Sequence, residues 1–413
     1  MTSSRYPSRI ARGIAVAFWV VSCAGDSDPT PETATWVTVP EFEIGDAFGG
    51  PAAFAQVSDV RVSPDGERVF VLEPYLARVS VWTPEGDILL DIEKPGEGPG
   101  EFRTPLRVEP NPDGFSVQDT RRFTFFTHDG RLLRTVPNPP PAISFRGFRL
   151  QPRLLTESDG YVAVPAIPGT VAAGWTGDDP LDELPLLHVR AEDDRWTMDT
   201  IAVLDVRNRS LAIRPAGSEW EFTWELHTGQ PLADDDLTYF DPETGNVVIA
   251  HRNFGDGSIQ LLEITPPGDT IWHRRFAVQP VSLRPELLEG AIDVFTGQLV
   301  NQSTMAGQPV SRGEGRALVE AALYAPDPLP SVRYVRGMST GDLWMQTFEE
   351  VDSLVVWYTI GRGDTESALQ RVLLPTGFRA RDATPTHVWG VRRDSLGVAY
   401  VTGRKLVRRT ESG

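Results

Sequence analysis

Reactive side chains are sparse in this 413-residue chain, and their spacing excludes more chemistry than it suggests. The histidines, His128, His188, His227, His251, His273 and His387, are scattered. No His-Glu-x-x-His sets two imidazoles on one helix face around zinc, and no Gly-x-Ser-x-Gly forms a nucleophile elbow. Cys23 is the single cysteine, so the chain can form neither an internal disulfide nor a thiolate metal cluster. Asp234-Asp235-Asp236 offers the oxygen donors that Ca²⁺ takes, and reads equally as a solvated loop entering a strand. Arg362-Gly363-Asp364 reads as a turn. The glycine-rich run Pro95–Phe102, PGEGPGEF, is not a phosphate cradle. Glu97 and Glu101 would repel an anion, and no Lys-Ser or Lys-Thr follows.

The charge balance points the same way. Formal net charge is −18, which disfavours nucleic acid as a partner, since that binding rests on neutralising phosphates. Only Lys94 and Lys405 are lysines, so nearly all positive charge is arginine. An apolar fraction of 40%, with 37 Gly, 35 Pro and 11 Trp, is the composition of a folded, turn-rich chain.

The first residues read as an address. Arg5, Arg9 and Arg12 precede the apolar run Ile14–Val21. That run is far short of the ~20 residues needed to span a bilayer, but it suits a signal-peptide core. Val20-Val21-Ser22-Cys23 resembles the lipobox of bacterial lipoproteins. The resemblance implies cleavage before Cys23 and lipid attachment to it; without the lipid, the same residues make a plain secretion signal. The expected organisation is a signal peptide over 1–22, a polar, proline-bearing tether over 23–34, and one folded unit over 35–413. The expected location is the bacterial envelope, periplasmic or at the cell surface. Removing the leader removes three arginines and no acid, so the body should not lie flat on anionic lipid.

The elements that would position a site recur. An apolar strand, a glycine-bearing turn and a second apolar strand repeat at Ser63–Gly66, Asn111–Gly114, Ser158–Gly160, Pro242–Gly245, Ser339–Gly341 and Asp394–Gly397. In Ser-Pro-Asp-Gly and Asn-Pro-Asp-Gly, Pro presets one turn residue and Gly supplies a positive φ. A second set, Thr83–Gly86, His128–Gly130 and Pro267–Asp269, separates a third strand from a fourth. Four strands in roughly 45 residues is the signature of a propeller blade.

PGEGPGEF then falls between the last strand of one blade and the first of the next. Gly96-x-Gly98-x-Gly100-x-Phe102-x-x-Pro105 resembles the NHL-type repeat, and the chain is similar to six-bladed β-propeller lipoproteins of bacterial envelopes. The resemblance implies an all-β, six-bladed propeller with Phe102 wedged between two blades. The last blade, read as Thr386–Val391, Val398–Val401 and Leu406–Arg409, lacks a fourth strand, which Trp36–Ile44 would supply. Two stretches depart from the rhythm. Blade three runs long, over 143–231, with a polar insertion near Gly169–Glu183. A helical insertion over about 283–325 precedes blade five, with helices at Pro285–Phe295 and Gly315–Leu323; it packs on the rim or acts as a lid.

In such a fold the loops between second and third strands and those between blades share one face. That places Glu73, Tyr75, Asp119, Arg121, Arg122, His251, Arg252, Asn253, Glu349, Glu350 and Arg404 at a channel mouth. Mixed acids and arginines there suit a zwitterionic or anionic small molecule or a peptide, or they are solvated rim charges compensating one another. Two functions follow. One is an anchored, monomeric binding or scaffolding propeller that takes a protein, peptide or glycan partner and needs no cofactor. The other is a hydrolase or lyase, lactonase-like, using Ca²⁺ or another divalent metal in the channel, although no metal-ligand set is evident.

Overall fold

The computed structural model describes residues 35–140, 142–156, 160–166, 182–192, 195–213, 226–252, 256–362 and 368–409. The expectations on the leader, Cys23, the tether, the bulk of the polar insertion, Asn253 and Gly363-Asp364 lie outside them.

The chain enters on strand β1 (Thr35–Ile44) and then makes antiparallel meanders. The first sheet is β2 (Asp59–Val62), β3 (Val69–Glu73), β4 (Arg78–Trp82) and β5 (Ile88–Glu93), paired in that order. The second is β6 (Pro105–Asn111), β7 (Gly114–Asp119), β8 (Arg122–Thr127) and β9 (Leu132–Pro137). The third has β10 (Ser144–Phe145), β11 (Phe148–Leu155), β12 (Tyr161–Pro165), β13 (Glu183–Glu192) and β14 (Arg195–Asp205). A separate hairpin, β15 (Ser210–Ile213) with β16 (Leu226–Gly229), follows. The fourth sheet is β17 (Leu237–Phe240), β18 (Val247–His251), β19 (Ser258–Ile264) and β20 (Thr270–Ala277). Two helices, α1 (Pro285–Met305) and α2 (Arg312–Ala322), precede the fifth sheet of β21 (Tyr334–Gly337), β22 (Leu343–Val351), β23 (Leu354–Ile360) and β24 (Gln370–Pro375). The sixth group is β25 (Arg379–Ala383), β26 (His387–Arg393) and β27 (Ala399–Arg408). β1 pairs antiparallel with β27 from Trp36↔Arg408 to Ile44↔Val401, and its first residues run parallel to β24.

The sheets stack face to face, which explains their sequences. All five residues of Val69-Phe-Val-Leu-Glu73 are buried because both faces of β3 meet other sheets; β5 is mostly exposed because it lies outermost. One core joins the first and second sheets through Phe70, Leu72, Phe102, Val117 and Phe126. Phe102 is fully buried there and meets Phe126 edge-on at 5.8 Å, as expected of a wedge. Further cores join second to third, third to fourth, fourth to fifth, and fifth to sixth. Another brings Trp389, Val391 and Val401 against Val60, Val62 and Val69 of the first sheet. Successive antiparallel meanders stacked in this way make the protein a β-propeller, predominantly β.

Three expectations are corrected. The last group begins one strand earlier than expected: Arg379–Ala383 is its first strand, and the two strands expected at 398–401 and 406–409 are one continuous strand, β27, over Ala399–Arg408. Its first turn, Thr384–Thr386, lacks glycine and is closed by Thr384 N–H to His387 O (2.8 Å) and His387 N–H to Thr384 Oγ1 (3.1 Å). Blade three does not run to 231; its sheet ends at Asp205, and β15–β16 leaves to pack on the helices. Helix α1 continues ten residues past Phe295, because Leu299 and Ser303 extend its buried stripe against Val319 of α2. The α2 start is N-capped by Ser311, whose Oγ accepts from Glu314 N–H at 3.2 Å.

Candidate functional site

The meander direction gives each sheet two ends. The loop end carries the turns between second and third strands and the links between sheets. The turn end carries Ser63–Gly66, Asn111–Gly114, Pro242–Gly245 and Ser339–Gly341; Asp394–Gly397, expected among them, instead joins the second and third strands of the sixth group and lies at the loop end. The candidates on the first, second, fourth and fifth sheets lie at the loop end; Arg404 does not. It sits within β27 opposite Pro40 and Val388, where Thr38 takes its guanidinium at Oγ1 (3.0 Å) and at the backbone carbonyl (3.1 Å). Its assignment to a loop followed from the shifted strand count.

At the loop end several charged candidates are bound to the protein itself. Glu73 is buried, accepts Ala55 N–H at 2.8 Å and pairs with Arg78 at 3.0 Å. Burial raises its pKa, against the hydrogen bond from Ala55 and the charge of Arg78. Asp119 accepts the N–H groups of Arg103 (2.6 Å), Thr104 (3.1 Å) and Arg121 (3.0 Å). Arg122 donates to the carbonyls of Glu97 (3.0 Å) and Glu101 (2.8 Å), which fixes the PGEGPGEF loop. Arg121 lies outside that frame, paired with Glu97 at 3.0 Å. Arg252 is buried against Asp235 and the Val332 carbonyl. Glu349 pairs with Arg371 (2.7 Å) and Glu350 with Arg284 (3.1 Å).

The acidic run is likewise engaged. Asp234 accepts from Tyr324 Oη–H (2.7 Å) and Asn208 (3.1 Å), and Asp235 from Arg209 and Arg252. Asp236 accepts Asp205 N–H and faces His251 Nδ1 at 2.8 Å; that hydrogen bond, outweighing partial burial, raises the His251 pKa. Among the described residues, no group of three or more His, Cys, Asp or Glu is disposed to hold a metal ion.

The innermost strands meet in an ionic knot that the sequence did not reveal. Asp382, fully buried, accepts Val62 N–H (2.7 Å) from the first sheet and Ser339 N–H (2.7 Å) from the fifth. Arg61 donates to Glu109 of the second sheet (2.8 Å) and to Gly337 O of the fifth (3.1 Å). Arg336 pairs with Asp59 at 2.6 Å. Burial pushes the Asp59 pKa up, but Arg336 and Arg61 outweigh it and hold the carboxyl below its usual range. Tyr239 fills the space beside Gly337, where a Cβ would stand 2.2 Å from its ring. Burial pushes the Tyr239 phenol up to about 12.

Three large apolar side chains stand exposed at the loop end. Phe48 is 100% exposed, Tyr75 82% and Leu396 86%. They come from the link into the first sheet, the β3–β4 loop and the β26–β27 turn, and Phe54 at the end of that link bridges to Ala399 of the sixth group. Phe48 went unnoticed in the sequence because its Gly/Pro-rich surroundings carry no strand pattern; it is the one aromatic of that loop tip. The segment bearing it is fixed by Arg78 to Pro51 O (2.8 Å) and by Ala55 to Glu73.

These features define a β-propeller with a rigid frame and an apolar seam at its loop end. No family model matches the chain, and no curated protein matches it. Solved structures are similar across most of its length at low identity. A DUF4221 family member from Bacteroides vulgatus is 10% identical over 92% of this chain and 100% of its own, with a TM-score of 0.47. The PQQ-bound aldose sugar dehydrogenase of Streptomyces coelicolor is 12% identical over 92% and 100%, TM-score 0.38. The WD40 domain of Neurospora crassa Pan2 is 10% identical over 89% and 95%, TM-score 0.36. Among the described residues no helix is long and apolar enough to cross a membrane.

Proposed function

We propose that the protein is a lipid-anchored binding and scaffolding propeller of the bacterial envelope that presents its loop end to a protein, peptide or glycan partner. In this reading the propeller has six blades, β1 completes the sixth, and Cys23 carries the anchor. Pairing of β1 along β27 and the core shared by the first and sixth groups support the count and the closure. The lipobox-like residues support the anchor. The observation that carries the function is the seam itself. Phe48 and Tyr75 stand out from segments tied together by the buried Glu73–Arg78 pair, and Leu396 from a turn whose backbone N–H groups bond to Asp394, so a partner would meet apolar anchors already ordered.

The test places a photo-crosslinking phenylalanine at Tyr75, and separately at Glu85 on the turn end, in cells making the full chain. A discrete adduct from position 75 and none from 85 is expected. No adduct at 75, or the same adducts from both, overturns the reading. Labelled palmitate incorporated by the wild type and lost in Cys23→Ser checks the anchor.

A further inference from the structure

Strand β1 is tied into the body along its whole length and to two sheets. Over Thr35–Val37 it runs parallel to β24, at Thr35↔Arg371, Trp36↔Val372 and Val37↔Leu373, while its other edge pairs with β27 from Trp36↔Arg408 onward. Arg409 N–H adds a bond to Thr35 O at 2.8 Å. The antiparallel ladder continues to Ile44↔Val401, with one irregularity at Pro40–Phe42. Side chains bridge that place. Arg404 donates to Thr38 Oγ1 (3.0 Å) and to Thr38 O (3.1 Å). Glu41 reaches past β27 to His387 Nε2 on β26 at 2.9 Å, with Lys405 Nζ at 3.6 Å. Glu43 pairs with Arg392, also on β26, at 2.8 Å. Phe42 stacks on Trp389, and Ile44 ends the strand in the core between the sixth group and the first sheet.

The direction of the strand decides what these bonds resist. Thr35 lies at the turn end and Ile44 at the loop end. Tension that draws Thr35 toward the turn end, against a body held at its loop end, therefore acts along the strand. The ladder bonds lie across that line, so they share the tension and must break together before β1 slips. Pulled sideways from one end, the same ladder opens one rung at a time. The parallel stretch beside β24 passes part of the tension into the fifth sheet. Behind β1, the link over 45–58 has no strand ladder of its own, only the bridge of Phe54 to Ala399, so β1 shields it.

We propose that β1 is a force-bearing clamp, loaded in shear, that passes tension between the N-terminal side of the chain and a partner held at the loop end. The clamp rests on the anchored, partner-binding reading for the source of its tension; its strength is a property of the fold alone.

Single-molecule force spectroscopy tests it, on the full chain carrying Cys23→Ser and paired cysteine handles. Thr35→Cys with Tyr75→Cys pulls β1 along its length. Thr35→Cys with Arg409→Cys pulls the same strand away from its neighbour at one end. At equal loading rate, the first rupture across 35 and 75 is expected at a force at least about twofold higher than across 35 and 409. It should release roughly 80 Å of chain, the extended length of residues 35–58, which identifies β1 and its link as what gave way. Circular dichroism establishes that both double variants are folded. Equal forces in the two geometries, or a lower force across 35 and 75, overturn the clamp. Failure of the palmitate label or of the crosslink at position 75 would instead remove the source of tension and leave these forces unchanged, so the two failures are told apart.

Discussion

Single side chains here act across great sequence distance. Asp382 illustrates it: its carboxylate serves N–H groups on the first and fifth sheets from a strand of the sixth. Asp382→Ala leaves those donors and Arg61 short of their anion, so unfolding free energy should fall by about 3–5 kcal/mol, read from urea curves. A loss under about 1 kcal/mol would mean the knot is solvated. Two histidines should titrate apart. His251, raised by Asp236, favours its proton in the fold; its contribution is complete below about pH 6.5 and fades as pH rises through the raised value. His188 is buried with neither ring nitrogen hydrogen-bonded, and burial, then Arg190, lower its pKa. Its neutral form favours folding, so that contribution is lost as pH falls from about 6.5 toward the lowered value. Ring-proton NMR should place the His251 midpoint above 6.5 and that of His188 below; the reverse order contradicts the geometry. None of this was legible in the sequence. Asp59, Arg61 and Asp382 read as ordinary polar positions in short strands, and their partners lie up to 320 residues away.

At the scale of elements, legibility followed the turns. Where Gly66 takes φ +79° to close Ser63-Pro-Asp-Gly, the strands on either side were found. Where threonines close the reversal at Thr384–Thr386, the register was lost, and Arg404 was displaced with it. Helix α1 was cut short because Thr296, Gly297 and Asn301 are weak helix formers, and only packing against α2 extends it. Strand β1 is expected because the last blade lacks a fourth strand, and it pairs along β27. Phe42 stacks on Trp389 at 5.7 Å, and Ile44 enters the core shared by the first and sixth groups. A chain starting at residue 45 should lose at least about 10 °C of melting temperature and aggregate through the bared β27 edge. An unchanged thermogram from that chain would show the strand to be dispensable.

The whole molecule was the most legible level in outline and the least in detail. Its β-rich stacking follows from repeated apolar runs, since a strand buried on both faces needs a neighbour on each side. The annex of α1, α2 and the β15–β16 hairpin, with a core of its own, was visible only as helical periodicity. Thr35, the first described residue, pairs with Arg371 and Arg409 at the turn end. A fatty chain on Cys23, twelve residues upstream and within about 40 Å of reach, would tie that pole toward the bilayer. The Ser63–Gly66 and Ser339–Gly341 turns would then look down at the lipid headgroups, and the bare aromatics Phe48 and Tyr75 would point outward, like the working side of a moored buoy.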